Sequence, residues 1–257
     1  IHSPRHLVLE TPVIQSPTAT GLYLYAIVDA SDIVPDLIGI DEQPVFALTQ
    51  NNVAALVGNL RSTRLRPERR NVMAHQKVLA SVNNGRGILP MRFGVVMNDE
   101  EEISRILETH ETNLSEQLDR VRGRIELGLR IAWKPDEVFQ HLLQHYPALK
   151  QLRDSVPRSR EGAIEVGKRV ADAMETHRRW QEQMIREMFG DRVVEYCFNA
   201  PKNDAQLINA ACLIERGRRT DFESAVEQLA GTLDDTYSIE FNGPWAPHNF
   251  IRLNLAF

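Results

Sequence analysis

Hydrophobic periodicity in this chain switches repeatedly between two residues and three to four, and that alternation restricts its fold more than any other feature. A period of two marks a strand with one buried face, and a period near 3.6 marks an amphipathic helix. GLYLYAIVDA (21–30) is rich in strand formers. PVFALTQNNVAALVGNL (44–60) is two short apolar runs around Gln50, Asn51 and Asn52, and Asn-Asn tolerates the positive φ of a tight hairpin. From Pro67 a helix is expected, with Val72, His75 or Gln76, Leu79 and Val82 at helical spacing and a stop at Gly85. ILPMRFGVV follows as a strand. Helix 99–123 opens on acids, ends on glycine and carries Ile103, Leu107, Leu114, Leu118 and Val121 on one stripe, with His110 filling the remaining place.

The second half has a similar order. RIELGLRIAW (124–133) is strand-like, 136–156 is helical with a break before Pro147, and Pro157 closes it. The run 161–190 is one long helix with Val166, Val170, Ala173, Trp180, Met184 and Met188 near a heptad stripe, which calls for another helix against it. Two strands joined around Pro201, a helix with Asp221 as N-cap, and a closing strand complete β-α-ββ-α-β. No sequence repeat accompanies that shared order. The expected class is α+β, in two domains each related to a ferredoxin-like βαββαβ plan, with long amphipathic, coiled-coil-like helices. The expected boundaries are a tail at 1–20, an N-terminal domain at 21–123, and a C-terminal domain at 124–257 with a helical insertion at about 136–190.

Composition narrows the function. The net charge is −5 and no apolar stretch approaches a membrane span, so a soluble protein without a lipid or nucleic-acid partner is expected. One local exception is RSTRLRPERR (61–70), whose five arginines have no interleaved aromatic side chains for stacking bases but suit an acidic protein patch. Cys197 and Cys212 fall on opposite faces if their strands pair, which is the pattern of free thiols in a reducing cytoplasm.

No reactive constellation stands out. His141 and His145 have the i, i+4 spacing of helical metal ligands, but Leu142 occupies the place of a zinc protease's glutamate and no third ligand is evident. Both are expected on a solvated helix face with Glu137. His110 and His177 read as histidines at the edge of a core. No phosphate loop or strained nucleophile elbow is present. The expectation is a non-enzyme without metal or cofactor; the competing class, a haem or small-molecule enzyme on tandem ferredoxin-like domains, needs His75, His110 or His177 as axial ligand.

Two stretches carry the candidate partner-binding residues Arg92, Phe93 and Trp245. In the run from Ile88, a period of two puts Leu89, Met91, Phe93, Val95 and Met97 on one face, and Pro90, Arg92, Gly94 and Val96 on the other. Arg92 then points away from the core, either to a partner carboxylate or to an acid on one of the chain's own helices. Pro90 cannot donate to a ladder, so the strand should begin at an edge. In EFNGPWAPHNFIRLN (240–254), two prolines around Trp245 imply a sharp corner and a fixed indole, which either plugs the core or anchors a partner.

These stretches together resemble the gas vesicle GvpF/GvpL family: LYLYAIV at the first strand, ILPMRFGVV, FESAVEQLAG after NAACLIER, and GPWAPHNFI in place of a closing Gly-Pro-Trp-Pro-Pro-Tyr-Ser-Phe signature. Gly243, Pro244, Trp245, Pro247 and Phe250 match that signature, whereas Ala246, His248 and Asn249 depart from it. The resemblance implies a non-enzymatic accessory of gas vesicles within prokaryotic cells, a minor shell component or chaperone-like assembly factor. It also implies binding to the hydrophobic major shell protein GvpA and possible contact with other accessory proteins. Two docking modes are expected: strand addition near 88–97, or helix-in-groove contact along 161–190.

Overall fold

The computed structural model describes residues 21–61, 65–134, 138–155 and 159–253; the tail expected at 1–20 and the Pro157 stop lie outside them. The fold is α+β with two antiparallel sheets. The first is built from β1 (Gly21–Asp29), β2 (Val45–Gln50), β3 (Val53–Leu60), β4 (Ile88–Pro90) and β5 (Val96–Met97), in the order β2-β3-β1-β4 with β5 also on β1. The β2–β3 hairpin turns at Asn51, whose φ is 49°, as the Asn-Asn pair suggested. Helix α1 (Arg69–Val82) covers one face through Val78, Leu79 and Val82, and α2 (Glu100–Val121) covers the other through the full expected stripe. Buried on both sides, β1 needs apolar residues at every position, hence GLYLYAIV. Asp99 caps α2 by accepting from the Glu102 N–H at 2.8 Å.

The stretch 88–97 is not one strand. Both β4 and β5 pair with β1, and Arg92–Val95 loops out between them. Gly94 has φ 98°, a conformation that glycine adopts freely, and its N–H donates to the Tyr23 hydroxyl at 3.1 Å. Leu89, Met91, Val95 and Met97 keep the expected face, but the extra residues turn Phe93 to the α1 side beside Tyr23 and His75.

The second sheet has the order β7-β8-β6-β9. Its strands are β6 (Arg124–Trp133), β7 (Glu195–Phe198), β8 (Gln206–Glu215) and β9 (Tyr237–Trp245). Helices α3 (Val138–His145), α4 (Pro147–Ser155), α5 (Arg160–Phe189) and α6 (Arg219–Thr232) all feed one core on the same face. Cys212 lies in that core and Cys197 on the opposite face, both as free thiols.

Two details differ from the sequence reading. The buried line of α5 runs through Ala173, His177, Gln181, Ile185 and Phe189, and Trp180 is 56% exposed. Ala173 of the expected stripe lies in the core and Val170, Met184 and Met188 pack half-buried against it, so the departure is at Trp180, beside which Gln181 is the buried residue. Helix α6 begins at Arg219, because the turn Arg216–Arg218 runs straight into it; Asp221 sits inside the first turn, 3.3 Å from Arg218, and is not the N-cap.

Candidate partner-binding surface

Strand β9 ends in Gly243-Pro244-Trp245, and the chain then leaves the sheet to run between the two halves. Gly243 has φ 122°, and a Cβ there would stand 2.9 Å from the Glu126 carbonyl oxygen, so only glycine fits this corner. The following segment reaches three apolar clusters. Ala246 joins the α1 side of the first sheet, Ile251 and Leu253 pack on the α2 side, and Phe250 is buried against Ala211 and Leu213 on the back of the second sheet. Asn249 fixes the crossing: its backbone N–H and its side-chain amide donate to the Glu126 carboxylate at 2.9 and 2.6 Å. Burial raises the Glu126 pKa, and these two hydrogen bonds oppose the rise. Charged contacts tie the halves further, with Arg120 on Glu195, Arg252 3.6 Å from Glu195, and the Arg216 guanidinium on the Asn83 carbonyl.

The corner aims Trp245 at α1. Its Nε1 donates to Asn242 Oδ1 at 2.7 Å, which fixes the indole while 45% of the residue stays exposed. Facing it is Met73 of α1, 59% exposed. Between them runs an open groove of about 460 Å³ with a mainly apolar lining, including Met73, Lys77, Ala80, Pro244 and Trp245. The α1 stripe expected from Val72, Leu79 and Val82 left Met73 outside the core, and an apolar residue off its helix's buried stripe is the sequence signal for this surface.

Arg92 and Phe93 do not line this groove; they lie in the loop between β4 and β5. Arg92 is exposed and, among the described residues, forms no ion pair with a helix acid or any other acid. Its charge lowers the His248 pKa, although burial lowers it more. Phe93 is half-buried, its ring 5.8 Å from His75 and 6.0 Å from Tyr23. Trp245 is thus the large exposed aromatic of the three, and Phe93 serves the packing beneath α1.

The histidines are packing residues in these surroundings. His75 is fully buried, with Nδ1 3.0 Å from the Tyr23 hydroxyl and its ring stacked on Tyr25, and burial lowers its pKa to about 4. His177 is likewise held at about 4 by burial and by neighbouring His145 and His141. His141 corrects the solvated-face reading: it is 6% exposed, stacked 5.3 Å from Trp133. The reason is that α3 lays this side of its turn onto the end of β6, where the indole supplies an apolar floor. A larger groove of about 820 Å³ lies between α3, α5 and Asn203–Ala205, with Glu175, Arg178 and Asp204 among its walls; Arg178 is engaged there by the Gln206 carbonyl at 3.1 Å. Among the described residues no group of three or more His, Cys, Asp or Glu is placed to hold a metal, and no helix is long and apolar enough to cross a membrane.

Comparison with known proteins places this architecture. The family model "Gas vesicle synthesis protein GvpL/GvpF" matches residues 21–252. Gas vesicle protein F of a Streptomyces species is 30% identical over 219 residues, covering 84% of this chain and 91% of the relative. Gas vesicle protein F of Dolichospermum flosaquae is 28% identical over 246 residues, covering 91% and 98%. The crystal structure of GvpF from Microcystis aeruginosa superposes with a TM-score of 0.79 at 28% identity, over 91% of this chain and all of that one. With a family model spanning residues 21–252 and this degree of structural overlap with a solved relative, the chain belongs to the gas vesicle GvpL/GvpF family.

Proposed function

We propose that this gas vesicle protein is a non-enzymatic, chaperone-like adaptor that holds the hydrophobic major shell protein GvpA during vesicle assembly inside the cell. The observation that carries this reading is the exposed apolar groove between Trp245 and Met73. A shell subunit with a water-repelling face and free strand edges aggregates unless those surfaces are covered. A rigid aromatic beside an open groove is the kind of feature that supplies most of the energy at an interface. The interrupted edge formed by β4 and β5 offers three and two residues of strand, a poor template for strand addition.

Co-purification of GvpA with the full chain tests the proposal. Trp245→Ala is expected to reduce capture by about tenfold or more, the effect of losing a central anchor, with the far-ultraviolet spectrum unchanged. Arg92→Ala, which removes an exposed charge outside the groove lining, should reduce it less. Undiminished capture by both variants would remove this face from the interface, and no capture by the wild type would overturn the adaptor reading.

A further inference from the structure

The groove has a charge asymmetry that identifies what fits it. Residues 61–92 contain eight Arg and Lys side chains and one acid, Glu68, in a chain whose net charge is −5. Helix α1 itself carries Arg69, Arg70 and Lys77 and no acid. Arg70 is paired with Glu68 at 3.0 Å and Arg86 lies 3.8 Å from Asp32, so both are partly neutralised. Arg69, Lys77 and Arg92 have no ion pair among the described residues.

Position matters as much as number. Arg69, Met73 and Lys77 are spaced by four residues and lie on one exposed line of α1, so a cation stands one turn before and one turn after the methionine. From Met73 to Ala80 the helix rises about 10 Å, some two turns. Across the groove stand Pro244 and Trp245, which carry no charge. A mainly apolar groove two turns long, with Lys77 in its α1 wall and Arg69 one turn before Met73 on the same exposed line, is the complement of an amphipathic helix with apolar residues at i, i+3 or i+4 and i+7 and carboxylates beside them.

We infer that the groove between α1 and Trp245 docks an acidic amphipathic helix of a partner protein, with Met73 and Trp245 gripping its apolar stripe and Arg69 and Lys77 pairing with its carboxylates. The inference rests on the reading of this groove as a docking site and adds the chemistry of its occupant. A lipid surface fits less well: Trp245 is hydrogen-bonded to Asn242 and faces α1 across a concave groove, so its indole is not free to insert into a bilayer. A second copy of the chain is the other alternative that the test separates.

The test uses the full chain and two designed peptides that share a leucine stripe and differ in having Glu or Lys on the polar face, with binding read by fluorescence anisotropy. The Glu helix is expected to bind, at least about tenfold tighter than the Lys helix, and to weaken as salt is raised. An Arg69→Glu, Lys77→Glu double variant, altered only at exposed positions, should reverse that preference. Equal binding of both helices, or a preference that the double variant leaves unchanged, would overturn the inference. Capture by anionic phospholipid vesicles with neither helix bound would also overturn it, in favour of a membrane surface. Concentration-dependent dimers abolished by Trp245→Ala, with neither helix bound, would do so in favour of self-association. Carrying the double variant through GvpA co-purification separates the two proposals. Equal capture by wild type and variant leaves the adaptor reading standing and removes this inference, whereas no capture by the wild type removes the adaptor reading and leaves the peptides to decide.

Discussion

Asn249 lies in the segment that follows β9, and its side chain reaches a buried carboxylate. Replacing it with alanine removes the 2.6 Å bond to Glu126 and leaves the 2.9 Å backbone bond in place. The expected cost is about 1–2 kcal/mol in urea unfolding, the usual penalty for under-satisfying a buried charged acceptor. The two buried histidines make a second prediction. His75 and His177 have pKa values near 4 in the folded chain, below the usual value near 6.5, because burial disfavours their charged form. As pH falls below about 6.5 the unfolded chain binds their protons first. Their stabilisation is therefore complete above about pH 6.5, is lost as pH falls towards 4, and amounts to at most about 3 kcal/mol each. Glu126, whose pKa is raised, acts in the opposite direction. Urea midpoints at pH 7 and pH 5 should show the loss, and His177→Gln should show a smaller one.

At the scale of elements, periodicity located nearly every helix and strand, and its failures have local causes. The strand read at 88–97 splits because Pro90 cannot donate, Gly94 takes a positive φ and the Tyr23 hydroxyl holds the looped backbone. None of these competes visibly with an alternating pattern of apolar residues. On α5 the pattern gave an amphipathic helix whose Val170, Ala173, Met184 and Met188 do meet the core, but it misplaced Trp180, because Trp180 outweighs Gln181 in any hydrophobic count. The structure buries Gln181 beside His177 at 3.4 Å and leaves Trp180 exposed. Trp180→Ser is accordingly expected to change stability by no more than about 0.5–1 kcal/mol. Phe189→Ala, which empties a fully buried site 5.1 Å from Phe222, should cost about 3–5 kcal/mol. Thermal denaturation of the two variants side by side checks both.

At the scale of the whole molecule, the segment after β9 is the feature that joins the parts, since it contributes side chains to clusters on both sheets. We propose the boundary near Gly123, between α2 and β6, as a division into two domains that this segment clasps. Phe250→Ala should then do more than lower stability. It should split a single unfolding transition into two, read by calorimetry, because the sheets lose the shared plug on Ala211 and Leu213. A single transition at a lower temperature would argue for one cooperative unit.

Sequence alone determined the helices, the strands other than the broken one at 88–97, the Asn-Asn hairpin and the β-α-ββ-α-β order of the second half, because each is encoded by neighbours within a few turns or alternations of the chain. It also isolated Trp245 as a fixed aromatic and the 61–70 arginines as a patch suited to an acidic protein. Only the tertiary structure decided that Trp245 shares a groove with Met73 and Lys77 of α1. Met73 and Trp245 face each other because β9 ends beside α1, and Glu126 meets Asn249 because the closing segment crosses the back of β6. Contacts between residues so far apart in the chain depend on how whole elements pack, and the periodicity of any one element is indifferent to which partner it meets.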